Sequence, residues 1–193
     1  MKILVSTLIP FLLSCAQANN TFKVVEVPNK NSMAYHLKHF STDKRYYKIS
    51  FNEKGNKFNH SYPVDIQAKS LDDTISAIKK LLEFEGDARV TDIPVMNWNL
   101  ESSNLYTEDE KLYSIQVEAL FIINQLYYKA PFLRSPLPVL ENKIGETATI
   151  KGDIINKAYK SYKIWFKSLK KEDFRKSDFK KPNPLMYTDV KWL

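Results

Sequence analysis

The sequence predicts an α+β fold, an N-terminal antiparallel sheet packed against three helices of which the second is central and buried. Three observations carry this. Period-two apolar runs are confined to the first third of the chain, apolar spacings of three and four residues occupy the rest, and one of those helical stretches is apolar around most of its circumference. The chain has 193 residues, 44% hydrophobic and 26% charged, which suits one packed domain and argues against wholesale disorder.

Residues 22–27 and 45–51 read as strands, the second with Tyr47, Ile49 and Phe51 on one face. Asn52 to Asn56 carries hairpin chemistry, with Gly55 suited to the left-handed region, and predicts a returning strand between Lys57 and Ile66. Pro63 makes that strand an edge or breaks it. Residues 34–40 are read as a further strand. Ser70 followed by Asp73 is a capping arrangement, so the first helix should run from there to about Glu85, with Leu71, Ile75, Ile78 and Leu82 inward and Gly86 as terminator. Thr107 and Glu110 form a second such box and predict a helix reaching Tyr128, before Pro131. Between Leu112 and Tyr128 its only charge is Glu118. The third helix should span about Asp153 to Lys170, with Ile155, Tyr159, Tyr162, Phe166 and Leu169 inward. Residues 89–95 and 147–150 are strand candidates in the two long connections, because structureless loops of that length are uncommon in compact domains. The tail from Pro182 holds Leu185, Tyr187, Val190 and Trp192, and is expected to pack back onto the body.

The N-terminus has Lys2 and then an apolar run from Ile3 to Leu13, the length of a secretion signal and too short for a stable membrane span. It ends in Leu12-Leu13-Ser14-Cys15, and Cys15 is the sole cysteine of the chain. This stretch resembles the lipobox of bacterial lipoproteins. The resemblance covers the signal and four residues, and it implies lipid, palmitate among it, attached at Cys15 and a membrane-anchored protein facing the periplasm. Ala16-Gln17-Ala18 also fits ordinary signal peptidase, which would leave a freely secreted chain, and Asn19-Asn20-Thr21 and Asn59-His60-Ser61 read as glycosylation acceptors. Residues 1–14 are thus expected as signal, 15–21 as tether and 22–193 as a single domain. The mature part resembles no family.

Four glycines, none clustered, exclude a phosphate-cradling loop, and no Gly-x-Ser-x-Gly is present for a serine hydrolase. His36 and His39 would share one side of a helix but opposite faces of a strand, and no HExxH-like pattern accompanies them or His60, so neither metal nor cofactor is expected. The carboxylates of Asp72, Asp73 and Glu108 to Glu110 read as helix N-terminal charges. Glu83, Glu85 and Asp87 read as a solvated acidic corner. Glu118 is the one acid in an apolar helix, where burial raises a carboxyl pKa toward acid-catalyst values, although Lys111, Ser114 and Gln125 share its side of the wheel. Trp98 and Trp165 are secondary candidates for a recognition surface.

The strongest signal outside the core is electrostatic. From Lys157 to Lys181 there are ten basic and three acidic residues, a net +7 that equals the charge of the whole chain. At 100° per residue Lys157, Lys160, Lys163, Lys167, Lys170 and Lys171 fall on one arc of the third helix, opposite its apolar stripe. A basic amphipathic helix suits an anionic lipid surface or an acidic partner, and also suits a plain solvated face. Export removes nucleic acid from consideration. The expectation is a non-enzymatic binding protein of the cell envelope, of immunity-like or assembly-accessory type, whose partner is another protein or an anionic envelope component. The alternative is an envelope hydrolase using Glu118 as acid/base.

Overall fold

The computed structural model describes residues 22–36, 40–51, 58–61, 65–95, 111–131, 134–135 and 137–193. The α+β architecture is as the sequence predicts, with an N-terminal four-stranded sheet and three helices. Strands β1 (Phe22–Val27) and β2 (Tyr46–Phe51) form a six-residue antiparallel ladder from Phe22 opposite Phe51 to Val27 opposite Tyr46. On its other side β2 meets β5 (Val90–Pro94) in parallel at Tyr47 and Thr91, and β5 pairs antiparallel with β6 (Leu112–Ser114), giving the order β1-β2-β5-β6. The sheet is therefore antiparallel except at its centre. The β5–β6 ladder is irregular, and the Thr91 hydroxyl fills the gap by donating toward the carbonyls of Ile93 and Tyr113 at 2.9 and 3.0 Å.

Strand β3 (Phe58–Ser61) does not return along β2. It pairs antiparallel with β4 (Asp65–Ala68) in a separate two-stranded sheet, because both edges of β2 are already taken by β1 and β5, while the expected turn at Asn52–Asn56 and Pro63 lie outside the described residues. Of the expected strand at 34–40, residues 37–39 lie outside the described residues and the first residues form instead a 3-10 turn, Met33–His36. There Ser32 Oγ accepts from the Ala34 amide at 3.1 Å and Ala34 is fully buried, so a local side-chain bond outcompetes extension.

Helix α1 (Leu71–Leu81) starts as expected. Ser70 Oγ accepts from the Asp73 amide at 3.1 Å and donates to its carboxylate at 2.7 Å, and Asp72 and Asp73 place negative charge at the positive helix end. A 3-10 turn, Leu82–Phe84, continues it, and Gly86 at φ +84° takes the left-handed turn out. Helix α2 (Ile115–Tyr127) begins eight residues after Thr107, whose proposed cap lies outside the described residues. Residues 112–114 are strand instead of the first helical turn, held by the pairing with β5 and by the Ser114 amide on the Thr149 carbonyl at 2.8 Å. Sheet pairing here overrides local helical preference. Every residue of α2 except Leu126 is buried. It packs on α1, β2, β4, β5 and β6, which makes it the axis of the molecule.

Helix α3 (Asp153–Ser168) buries Ile155, Ala158, Tyr159, Tyr162 and Trp165. Trp165 is completely inside, so it belongs to the core and not to a recognition surface. Tyr159 donates to the Gln116 carbonyl at 2.8 Å and Tyr162 to Asn124 Oδ1 at 2.7 Å, which fixes α3 against α2. The tail packs back, as its apolar content predicts. Leu185 and Val190 enter the core and β9 (Lys191–Trp192) joins β7 (Leu140–Glu141) and β8 (Thr147–Ala148) in a small sheet ordered β8-β7-β9.

Candidate functional site

Helix α3 turns its lysines outward because its aromatic stripe is consumed by α2 and the tail. Lys157, Lys160 and Lys167 are exposed and Lys163 half-exposed on the helix itself. The helix ends at Ser168, two residues earlier than the periodicity suggests, since Leu169 is already extended. Lys170 and Lys171 therefore stand on the following 3-10 turn, Lys171–Arg175, both exposed. Half of the arc is neutralised at contact range. Lys157 lies 3.6 Å from Asp189, Lys163 pairs with Glu85, and Lys171 lies 3.2 Å from Asp72. Lys160, Lys167 and Lys170 make no ion pair among the described residues. Exposed pairs of this kind are worth little in stability. They do set the local field, leaving Lys160 and Lys167 uncompensated, while Lys170 adds its pull on the Asp173 carboxylate.

A groove of about 620 Å³ runs between α3 and the returning tail, lined by Lys157, Lys160, Ile164, Met186, Tyr187 and Asp189. Ile164, Met186 and Tyr187 are exposed by 46%, 56% and 59%, unusual for apolar side chains lying together. A second groove of about 500 Å³ on α3 is lined by the apolar Leu82 and Phe166 and by both signs of charge, Lys79, Lys163 and Lys167 with Glu83 and Glu85. The tail's contribution was hidden in the sequence because Leu185 and Val190 point in while Met186 and Tyr187 point out. The change of direction is made by a turn, closed by the Thr188 amide on the Leu185 carbonyl at 3.2 Å, and not by a regular period.

Glu118 lies elsewhere, in the core and 2% exposed. Of the residues on its side of the wheel, Ser114 and Gln125 are buried, Gln125 lining a surface groove, and Lys111 is exposed. Glu118 lines neither of the two grooves beside α3. It shares the interior with a second acid that the sequence reading missed. Asp92 on β5 is 5% exposed, and burial pushes its carboxyl up to about 6 against the pull of Lys48. Tyr113, also buried, feels both. Burial, and then the charges of Glu118 and Asp92, hold its hydroxyl well above its usual value. The signal for Asp92 was its place in the run Val90-Thr-Asp-Ile-Pro-Val95, an acid inside an otherwise core strand.

The acidic corner is paired and not merely solvated. Glu83 meets Lys80 at 3.1 Å, Asp87 meets Arg89 at 2.6 Å, and Glu85 holds Lys163. His36 falls in the 3-10 turn and His60 on β3, while His39, Trp98, Cys15 and the sequon at Asn19 lie outside the described residues. Among the described residues no group of three His, Cys, Asp or Glu is arranged to hold a metal ion, and no helix is long and apolar enough to cross a membrane. No protein family, no curated protein and no solved structure matches this chain.

Proposed function

We propose that this chain is an exported, lipid-anchored binding protein that engages an acidic partner, a protein or an anionic envelope component, through the outer face of α3. The observation that carries the reading is the α3–tail groove, where uncompensated Lys160 and paired Lys157 border the exposed Ile164, Met186 and Tyr187. Apolar side chains beside cations are the composition of an interface core with a steering rim. Signal and lipobox at residues 1–15 support the location, with Cys15 as the anchor.

The test reverses the unpaired cations. Lys160→Glu, Lys167→Glu and Lys170→Glu together change the charge by six units and leave the buried stripe and all three ion pairs untouched. The triple variant should fold, since exposed substitutions usually move stability by no more than ~0.5 kcal/mol each. Its binding to phosphatidylglycerol vesicles, or to the partner captured from the native host, should fall sharply. Binding by the parent should weaken as salt shortens the Debye length from ~10 Å at 0.1 M to ~3 Å at 1 M. A folded triple variant with undiminished binding, and a parent indifferent to salt, would leave the lysines as a solvated face only.

The hydrolase reading has one observation on its side, the second acid, Asp92, that shares Tyr113 with Glu118. Against it stands the burial of both acids, which keeps a substrate from either carboxyl in this conformation.

A further inference from the structure

On the side of the molecule where the end of α2 meets the tail, a small pocket of about 120 Å³ is lined by Asn124, Tyr128, Arg134, Tyr162, Lys191 and Trp192. That volume equals about four water molecules at liquid density, too little for a nucleotide or an oligosaccharide and enough for a small headgroup. Its polar wall is built from the core outward. Trp192 Nε1 donates to the Tyr162 hydroxyl at 2.9 Å, and that hydroxyl donates to Asn124 Oδ1 at 2.7 Å. Asn124 is 1% exposed, and the bond accepted from Tyr162 is its only side-chain hydrogen bond among the described residues. Its side-chain N–H groups donate to no group among the described residues, and the residue lines the pocket, so they are donors open to a ligand there.

Arg134 completes the set. One guanidinium N–H donates to the Asp178 carbonyl at 3.1 Å, and the group lies 5.9 Å from the centre of the Tyr128 ring and 5.5 Å from that of Phe179. Stacking and hydrogen bonding fix its plane in advance. The carboxylate nearest in sequence to that carbonyl, that of Asp178 itself, is consumed by Lys181 at 3.1 Å and by the amides of Lys129 and Ala130 at 3.1 and 2.8 Å. Arg134 makes no ion pair among the described residues. Lys191, by contrast, is matched by Glu141 at 2.7 Å. The pocket therefore holds one uncompensated positive charge in planar form next to open amide donors.

We propose that this pocket binds a monocarboxylate, the guanidinium of Arg134 taking the two oxygens side by side and Asn124 Nδ2 donating to one of them. A single free cation matches a monoanion better than a phosphate dianion, and the guanidinium fork matches a carboxylate. A small free acid and the C-terminal carboxylate of a peptide offer the same group. The site is separate from the α3–tail groove and does not depend on what binds there.

The test follows the indole N–H resonance of Trp192 by NMR in the full mature chain, assigned with a Trp192→Phe variant. The probes are propionate, benzoate and N-acetyl-Gly-Ala with a free C-terminus, each against its amide, together with inorganic phosphate. The acids should give saturating shifts in the millimolar range, while the amides give none and phosphate binds more weakly. Response to the peptide acid alone assigns the ligand to a chain terminus, and response to propionate or benzoate alone assigns it to a free acid. Arg134→Gln should weaken binding roughly tenfold to a hundredfold, as loss of a charge-assisted hydrogen bond does. Arg134→Lys, which keeps the charge and loses the fork, should fall between. Saturation by the amides as readily as by the acids, no saturating response to any acid, tighter binding of phosphate, or a folded Arg134→Gln with full affinity would each overturn the proposal. The acid-against-amide comparison needs no variant, so it decides even if both substitutions prevent folding.

Discussion

At the scale of single residues, two buried charges determine how the molecule should respond to solution conditions. The folded carboxyl of Asp92 titrates at about 6 and its ordinary value is 3.8, so between these pH values the unfolded chain has released the proton that the folded chain still holds. Stability from this group is therefore greatest below about pH 4, declines as pH rises to about 6, and stays lower above. At neutral pH the ionised form costs on the order of 2–3 kcal/mol. Asp92→Asn should raise the unfolding free energy at pH 7 by up to that amount, and because the variant lacks this titration its advantage over the parent should grow across pH 4–6, as measured by urea unfolding at a series of pH values. Equal slopes for the two proteins would remove Asp92 from the account. Lys181 is buried too, and burial lowers its pKa even against the pull of Asp178, but its charge is paired. Its side chain is 1% exposed, its ammonium pairs with Asp178, donates to the Tyr127 carbonyl and sits 4.9 Å from the centre of the Tyr127 ring. Lys181→Ala strands a carboxylate and a carbonyl in the interior and should cost about 3–5 kcal/mol, whereas Lys180→Ala, on the exposed neighbour, should stay within ~0.5 kcal/mol. Thermal unfolding of the two variants side by side checks it.

At the scale of elements, α2 is where the stability is concentrated. Leu120 and Ile123 are fully buried on it, and each, replaced by alanine, should lose about 2–5 kcal/mol, while Lys160→Ala on α3 serves as the neutral control. Matching midpoints for core and control variants would contradict the placement of α2. How far elements could be read from the sequence followed how local their causes are. Ser70 and Asp73 act within one turn, and the stripe from Ile155 to Phe166 acts within one helix, so α1 and α3 were legible. The start of α2 was not, because residues 112–114 answer to β5 some twenty positions earlier, and the parallel pairing of Tyr47 with Thr91 has no local signature at all. The candidate site divides the same way. The lysine arc is a property of one helix and could be plotted on a wheel. Its neutralising partners could not, since Lys163 finds Glu85 across 78 residues and Lys171 finds Asp72 across 99. Asp92 was not legible because an acid between Thr91 and Ile93 carries no local sign of which face of its strand the fold will bury.

At the scale of the whole molecule, anchoring at Cys15 makes a prediction about where the protein is found. Expressed in a bacterium, the parent should partition with detergent and Cys15→Ser should be released or left unprocessed; identical partitioning and processing of the two would exclude a lipid anchor at that residue. The return of the tail has a further consequence, which concerns the order in which the chain is made. Leu185 and Val190 fill the core, the Pro182 carbonyl accepts from Trp165, the Pro184 carbonyl accepts from Ser161, and Trp192 both bonds Tyr162 and extends the small sheet. A ribosome adds these residues after everything they pack against. Until position 192 has emerged, α3 presents Tyr159, Tyr162 and Trp165 with one side uncovered, so the nascent protein remains a clientele for chaperones and proteases long after its sheet and first two helices exist. Chains interrupted at Asn183 should consequently be cleared in pulse-chase experiments much faster than full-length ones.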